Sequence, residues 1–140
     1  MRQEEIYIQD DNEAEENLEE SSFFFDSYAF FEIIKENKNY LPYLSANIVT
    51  AKLNLFELYH GFLKDNNEEL AKISLEKYYP FALDFDEDVI KEAAKMKFSL
   101  NKRDLSMADC IGYCLAKQLG MKFLTGDEQF KDMKNVEFVK

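Results

Sequence analysis

The chain contains few of the residues on which several classes of protein depend. It has no tryptophan, one histidine, two cysteines, two prolines and four glycines in 140 residues. The two cysteines, Cys110 and Cys114, are too few for a disulfide framework and lack a zinc-site spacing, so we expect buried thiols in a reducing compartment. No apolar run approaches the ~20 residues that a membrane span needs. Because the first residues also lack the apolar core of a signal peptide, we expect a cytoplasmic protein without membrane contact.

Basic residues are also scarce relative to acidic residues. Seventeen Lys and Arg stand against 28 Asp and Glu, which gives a net charge of −11. This balance argues against a basic surface that clamps nucleic acid, although a local acidic metal site remains compatible with it. Residues 1–20 alone hold nine acids and one arginine and carry −8, which leaves −3 for residues 21–140. We therefore expect a flexible acidic extension over 1–21 and one folded domain over 22–140.

Apolar residues, by contrast, make up 46% of the chain and form short runs between helical patterns. Strands are predicted at 22–26, 81–85, 121–125 and 136–139, and a weak alternation favours another at 5–9. Helices are predicted at 28–37 with Ser27 as N-cap, at 48–64, at 67–78, from 86, from 104 or 106 to Gly120, and at 128–133. Phe56 and Leu63 are assigned to the apolar face of the helix at 48–64. This alternation predicts an α/β fold with a mostly parallel sheet.

Four acidic residues stand where such a fold can place an active site. Asp26 ends the first strand and Asp127 follows the strand at 121–125, and ligands of open parallel sheets bind beyond the carboxyl ends of strands. Asp109 lies in the first turn of a helix, where the helix dipole favours an ionised carboxylate. Glu57 lies in an apolar stretch, where a carboxylate is rarely buried without a partner.

Each of these acids also has an ordinary structural interpretation. Asp26 and Asp127 can cap helices, and Asp109 stands three residues after Ser106 in a near capping box. Glu57 can belong to a buried ion pair, although the lysines on its own helix are poorly spaced for it. If the four carboxylates converge, their mutual repulsion requires a cation, and all-oxygen clusters suit Mg²⁺ or Mn²⁺. Such ions activate water and bind phosphates, but the spacing leaves open whether the four converge.

Three stretches carry a resemblance to a known family. FFFDSYAFFEII (23–34), KLNLFELYHGFL (52–63) and LSMADCIGYCLAKQLGMKFLTGDEQF (105–130) contain, in order, the acidic motifs typical of PIN-domain metal-dependent ribonucleases. Over residues 22–140 the chain most closely resembles the VapC-like toxin branch of that family. The resemblance implies a PIN-like, Rossmann-like three-layer α/β/α domain with a short, mostly parallel sheet.

The same resemblance implies an activity and a set of site residues. It implies metal-assisted hydrolysis of RNA phosphodiester bonds, possible pairing with a small antitoxin protein, and a homodimer. The residues that match the catalytic, Mg²⁺- or Mn²⁺-binding positions are Asp26, Glu57, Asp109 and Asp127, with Ser27 and Thr125 in supporting roles.

Other interpretations of the sequence remain open at this point. The same fold can serve as a catalytically weak interaction module in RNA processing. A phosphoacceptor receiver-like domain also places acids at strand ends, but it needs two adjacent acids where this chain has Asp26 alone. His60 follows Glu57 by three residues, and we expect it on the surface or beside the site rather than as a metal ligand.

Overall fold

The computed structural model describes residues 21–140, so the predicted strand at 5–9 and nearly all of the acidic extension lie outside the described residues. Five parallel strands form one sheet in the order β3-β2-β1-β4-β5. The strands are β1 (Ser22–Phe25), β2 (Asn47–Ala51), β3 (Ala82–Leu83), β4 (Lys122–Thr125) and β5 (Val136–Phe138). Because β2 and β4 flank β1 on opposite sides, the strand order reverses there, and this is where open sheets form a crevice.

Helices cover both faces of the sheet. They are α1 (Ser27–Ile34), α2 (Lys52–Lys64), α3 (Glu68–Tyr78), α4 (Glu87–Ser99) and α5 (Met107–Gln118), with 3₁₀ segments at Lys38–Ser45, Tyr79–Phe81 and Glu128–Phe130. Gly120 follows α5 with a φ of 70°, the left-handed conformation that ends many helices. Within residues 21–140, no helix combines the length and apolar character needed to cross a membrane.

The aromatic run of β1 divides the core into two parts. Phe23 and Phe25 point to the face covered by α1, α2 and α3, whereas Phe24 points to the face covered by α4 and α5. All three side chains are buried, as the two-residue period of a strand buried on both faces requires. The prediction of a three-layer α/β domain is therefore confirmed, and every strand pairing in the described sheet is parallel.

Two local predictions at the first strands are wrong. The helix predicted at 48–64 begins only at Lys52, because residues Asn47–Ala51 form β2 and pair with β1. Ile48, Val49 and Thr50 are β-branched residues that favour a strand, but no helix breaker separates them from the next apolar helix. The N-cap of α1 is Asp26 rather than Ser27, since the Asp26 side chain accepts the N–H of Ser27.

Other elements are shorter or less buried than predicted. The strand predicted at 81–85 reduces to Ala82–Leu83, and the helix predicted at 128–133 reduces to the 3₁₀ segment Glu128–Phe130. Phe56 and Leu63 were assigned to the buried face of α2, yet both are exposed. They lie on the side of α2 that faces α3 and solvent.

Candidate metal centre

Asp26 lies at the carboxyl end of the central strand and is 2% exposed. Its Oδ1 accepts the backbone N–H of Ser27 at 2.9 Å, and its Oδ2 accepts the Thr125 hydroxyl at 2.7 Å. The contact with Thr125 follows from the register, because Phe25 pairs with Leu124 and the next residue of each strand comes alongside. Both carboxylate oxygens are thus held in place by hydrogen bonds from two neighbouring strand ends.

Glu57 reaches the same edge of the sheet from helix α2. This helix begins directly after β2, the neighbour of β1, and Glu57 follows in its second turn. The Ser27 hydroxyl donates to Glu57 Oε1 at 2.9 Å and lies 3.4 Å from Asp26 Oδ1. Glu57 itself is half-buried. Ser27 therefore connects the carboxylates of α2 and β1.

Asp109 arrives from the other helical layer, in the first turn of α5. It completes a capping box: its Oδ2 accepts the Ser106 N–H at 2.8 Å, and its own N–H donates to Ser106 Oγ at 3.0 Å. A carboxylate offers about four lone-pair sites, so capping leaves acceptor capacity free. The cap and the site are consequently compatible interpretations of the same residue.

Three of the four predicted carboxylates meet at this edge. One oxygen each from Asp26, Glu57 and Asp109 lies within 4.8 Å of the others. Asp127 is outside this cluster, and its Oδ1 accepts the Gln129 N–H at 3.0 Å as the cap of the 3₁₀ segment. Its backbone N–H donates to the Thr125 hydroxyl at 3.1 Å. Thr125 thus links Asp127 to Asp26, and a metal-binding role for Asp127 stays a prediction.

The proton affinities of the cluster reflect burial and mutual repulsion. Burial raises the pKa of Asp26 to about 8, and the charges of Asp109 and Glu57 add to the effect while the Thr125 hydrogen bond opposes it. Burial likewise raises the pKa of Asp109 to about 6, with further contributions from the charges of Glu57 and Asp127. Among the described residues, no lysine, arginine or histidine nitrogen lies within 4.0 Å of a carboxylate oxygen of Asp26, Glu57 or Asp109. The cluster therefore has no ion-pair partner in residues 21–140.

The donor set fits a hard divalent cation. Three carboxylate oxygens from separate elements are the ligands that Mg²⁺ and Mn²⁺ prefer, and a cation would relieve the repulsion among them. Lys52 in the first turn of α2 pairs with Asp84 at 3.5 Å. His60 is exposed and stacks on Phe56, with ring centroids 6.1 Å apart, so it lies outside the cluster as expected.

Sequence reasoning missed Asn54, which is fully buried and donates from Nδ2 to Asp26 Oδ1 at 3.3 Å. The available signal was a polar amide in an apolar helical stretch, three residues before Glu57 and so on the same face. The basic residues Lys97 in α4 and Arg103 between α4 and α5 make structural contacts away from the cluster. Lys97 donates to the Leu105 carbonyl at 2.6 Å, and Arg103 pairs with Asp132 at 3.2 Å.

Comparison with solved structures finds the same fold in complexes described as toxin–antitoxin systems. A chain of VapBC2 from Rickettsia felis, bound to a DNA fragment from its promoter, aligns with a TM-score of 0.65 and 17% identity, over 85% of this chain and 99% of that one. VapBC-5 from Mycobacterium tuberculosis aligns with a TM-score of 0.62 and 19% identity, over 86% and 98%. VapBC-1 from nontypeable Haemophilus influenzae aligns with a TM-score of 0.64 and 19% identity, over 84% and 96%.

The two comparisons at the level of sequence give different results. A search of curated proteins finds no significant match. The family model of the PIN domain, in contrast, matches residues 23–136. This range runs from the first strand to the start of the last and contains every carboxylate of the cluster. The chain therefore belongs to the PIN domain family.

Proposed function

We propose that this protein is a metal-dependent endoribonuclease that hydrolyses RNA phosphodiester bonds. The observation that carries the proposal is the convergence of Asp26, Glu57 and Asp109 within 4.8 Å at the carboxyl edge of the sheet. Membership of the PIN domain family supports a nuclease activity for this chain. Residues 21–140 carry a net charge of −3, which would become less negative if a cation neutralised the site. The electrostatic repulsion of a polyanionic substrate would then be smaller.

The chain's own residues have distinct parts in this proposal. Asp26, Glu57 and Asp109 would hold Mg²⁺ or Mn²⁺, which supplies a polarised phosphate and a water of lowered pKa when bound. Ser27 and Thr125 donate to these carboxylates and hold their orientation. Asp127 is linked to Asp26 through the Thr125 hydroxyl, and we propose that it completes the acidic set that binds the cation.

The activity is tested with a circular single-stranded RNA. Because the circle has no ends for an exonuclease, only an endonuclease can open it. We expect cleavage with Mg²⁺ or Mn²⁺, loss with EDTA, and recovery when the cation is restored. Glu57→Gln should lower cleavage by roughly 100-fold or more, since even residues that only support metal ligands are worth 10- to 100-fold. Glu76→Gln, which changes an exposed carboxylate on α3, is the matched control. Equal cleavage by wild type and Glu57→Gln contradicts the proposal.

We further propose that the protein is the toxin of a toxin–antitoxin pair and acts in the cytoplasm. A groove of about 390 Å³ lies between α2 and α3, and its lining includes Leu55, Phe56, Tyr59, Leu63, Leu75 and Tyr79. Exposed apolar surface of this kind is typical of a binding site for another protein. The structures of similar fold were solved as toxin–antitoxin complexes, which favours an antitoxin segment with an apolar face as the occupant.

The partner proposal has its own test. Induced expression should arrest growth, and co-expression of a small protein encoded next to this gene should relieve the arrest and co-purify with the chain. Growth arrest that no neighbouring product relieves contradicts the pairing. Cells that grow normally while the chain accumulates and cleaves RNA in vitro contradict the toxin role. A homodimer is proposed from the family resemblance, and sedimentation of the purified chain tests it.

The alternative function, a catalytically weak interaction module in RNA processing, is favoured only by the α2–α3 groove. It predicts partner binding through the groove without cation-dependent cleavage. The circular-RNA assay therefore separates the two candidates.

A further inference from the structure

Asn54 combines complete burial with an unsatisfied oxygen. Its exposed fraction is 0%, and within residues 21–140 its Oδ1 is the one fully buried side-chain nitrogen or oxygen without a hydrogen-bond partner. Buried amide oxygens are nearly always paired, because an unpaired one loses its hydration without compensation. An apolar residue at this position of α2 would avoid that loss, so the amide requires an explanation in terms of what it contacts.

The Asn54 amide is directed at the carboxylate cluster. Its Nδ2 donates to Asp26 Oδ1 at 3.3 Å. Asn54 also precedes Glu57 by three residues on α2, which places both side chains on one face of the helix. The unpaired oxygen therefore belongs to a group whose other end already contacts one of the three carboxylates of the cluster.

The amide can present either of its atoms to the cluster. A half-turn about the Cβ–Cγ bond exchanges nitrogen and oxygen, and would bring Oδ1 to roughly the present position of Nδ2, 3.3 Å from Asp26 Oδ1. Adjacent oxygens around an octahedral cation with bonds of about 2.1 Å lie about 3 Å apart. The spacing is thus close to that of two neighbouring ligands, and an amide oxygen adds no negative charge to carboxylates that already repel one another.

We propose that Asn54 is a further protein ligand of the cation, an inference that rests on the metal site of the proposed function. Without a cation, its N–H group faces Asp26 and stabilises that carboxylate. With a cation bound, the amide turns and its oxygen joins those of Asp26, Glu57 and Asp109. The unpaired oxygen of the cation-free protein is then the group that the cation satisfies.

The test measures Mn²⁺ binding rather than cleavage, by titration calorimetry and by the rise in melting temperature that Mn²⁺ causes. Asn54→Ala should weaken Mn²⁺ affinity by roughly tenfold or more. Asn54→Asp keeps an oxygen at the same place but cannot donate to Asp26, so it should bind Mn²⁺ at least as tightly as wild type. Leu58→Ala, a buried change on the same helix, should lower the melting temperature while leaving Mn²⁺ affinity unchanged.

Several results overturn the inference. If Asn54→Ala binds Mn²⁺ as tightly as wild type, Asn54 is not a ligand and only this inference fails. If Asn54→Ala and Asn54→Asp both bind Mn²⁺ weakly, the amide serves only as a hydrogen-bond donor to Asp26, and the inference fails as well. If Leu58→Ala loses as much Mn²⁺ affinity as Asn54→Ala, the loss reflects a general structural effect, and the ligand role of Asn54 is overturned. If wild-type protein binds no Mn²⁺, the metal site of the proposed function fails with it. If Asn54→Ala does not fold, Asn54→Ser takes its place with the same expected loss, because its shorter side chain cannot reach the cation.

Discussion

On each of its two faces, helix α2 has residues that depart from the usual distribution of polar and apolar side chains, although its buried residues also include Leu55, Leu58 and Phe62. On the face turned toward β1, Asn54 is fully buried and Glu57 is half-buried beside Asp26. On the opposite face, Phe56 is 69% exposed and Leu63 is 42% exposed at the groove with α3. A helix selected for stability alone would turn its apolar residues inward and its polar residues outward.

Buried polar groups and exposed aromatic surface both generally cost stability, so each departure indicates a function. Buried polar groups require partners, and the carboxylates at the inward face have no ion-pair partner among the described residues, so a cation is the simplest partner. Exposed aromatic surface favours association, so the outward face is suited to another protein. The inward face would then control catalysis and the outward face would control partner binding, and the two should be separable by mutation.

Asp26→Asn should give the largest effect, a loss of RNA cleavage of roughly 100-fold or more. The substitution keeps the shape of the side chain but removes the charge at the centre of the inward face. Because it also removes a buried, repelled carboxylate, the melting temperature without cation should be unchanged or higher. Asp84→Asn, which alters a carboxylate whose side chain is 92% exposed, should retain wild-type cleavage. Undiminished cleavage by Asp26→Asn would remove the basis for the inward-face assignment.

The stability of the cation-free protein should fall as pH rises from about 4 to about 8. The folded-state pKa of Asp26, about 8, exceeds its usual value of 3.8, so the folded chain holds a proton that the unfolded chain releases. Asp109, with a pKa of about 6, acts in the same direction. The stabilisation is complete below pH 3.8 and is lost as pH rises through the folded-state values.

Urea unfolding with EDTA at pH 5 and pH 8 measures this fall. We expect Asp26→Asn to reduce the difference between the two pH values by at least about 1.4 kcal/mol, the equivalent of one pKa unit. Saturating Mn²⁺ should stabilise wild type more at pH 8 than at pH 5, because a cation binds the ionised carboxylates. An unchanged pH dependence in Asp26→Asn would show that Asp26 is not the titrating group.

Thr125→Val should lower cleavage by about tenfold. The valine has a similar shape but cannot donate to Asp26 Oδ2 or accept the N–H of Asp127, so both acids lose a contact that orients them. Thr125→Ser keeps the hydroxyl and should retain most of the activity. If the valine and serine variants cleave RNA equally well, the hydroxyl has no part in orienting Asp26.

Phe56→Ser should produce the smallest change in the isolated protein. A surface substitution away from caps and buried networks usually alters unfolding free energy by less than about 0.5 kcal/mol, and cleavage should stay at the wild-type level. Binding of the proposed antitoxin partner, measured by co-purification or calorimetry, should be lost. If Phe56→Ser keeps partner binding but cleaves RNA less, the outward face of α2 serves catalysis rather than partner binding, and the assignment of the two faces is wrong.

The sequence predicted a set of acidic site residues but left their arrangement open. Asp26 follows β1 and Asp127 comes two residues after β4, and the rule that sites form at the carboxyl ends of parallel strands places both at one edge. The convergence of Glu57 and Asp109 could not be predicted from periodicity, because it depends on how α2 and α5 pack on opposite faces of the sheet. Strand β2 was missed because its apolar residues continue into α2 without a break.

Asn54 and the outward face of α2 show a second limit of sequence reasoning. A mixed stretch such as KLNLFELYHGFL contains enough apolar residues to supply a buried face in several rotations of the helix. The sequence therefore favoured burial of Phe56, whereas packing turned it to solvent and buried Asn54 instead. Only the placement of α2 against β1 decides between these two rotations.

The most direct test of the central claim is anomalous diffraction from crystals of the full chain soaked in Mn²⁺. We expect a single strong peak among Asp26, Glu57 and Asp109, with one oxygen of each residue at about 2.2 Å from the Mn²⁺ ion. Carboxylates that point apart, or Mn²⁺ bound elsewhere with no peak among these three residues, would show that they do not form a metal site.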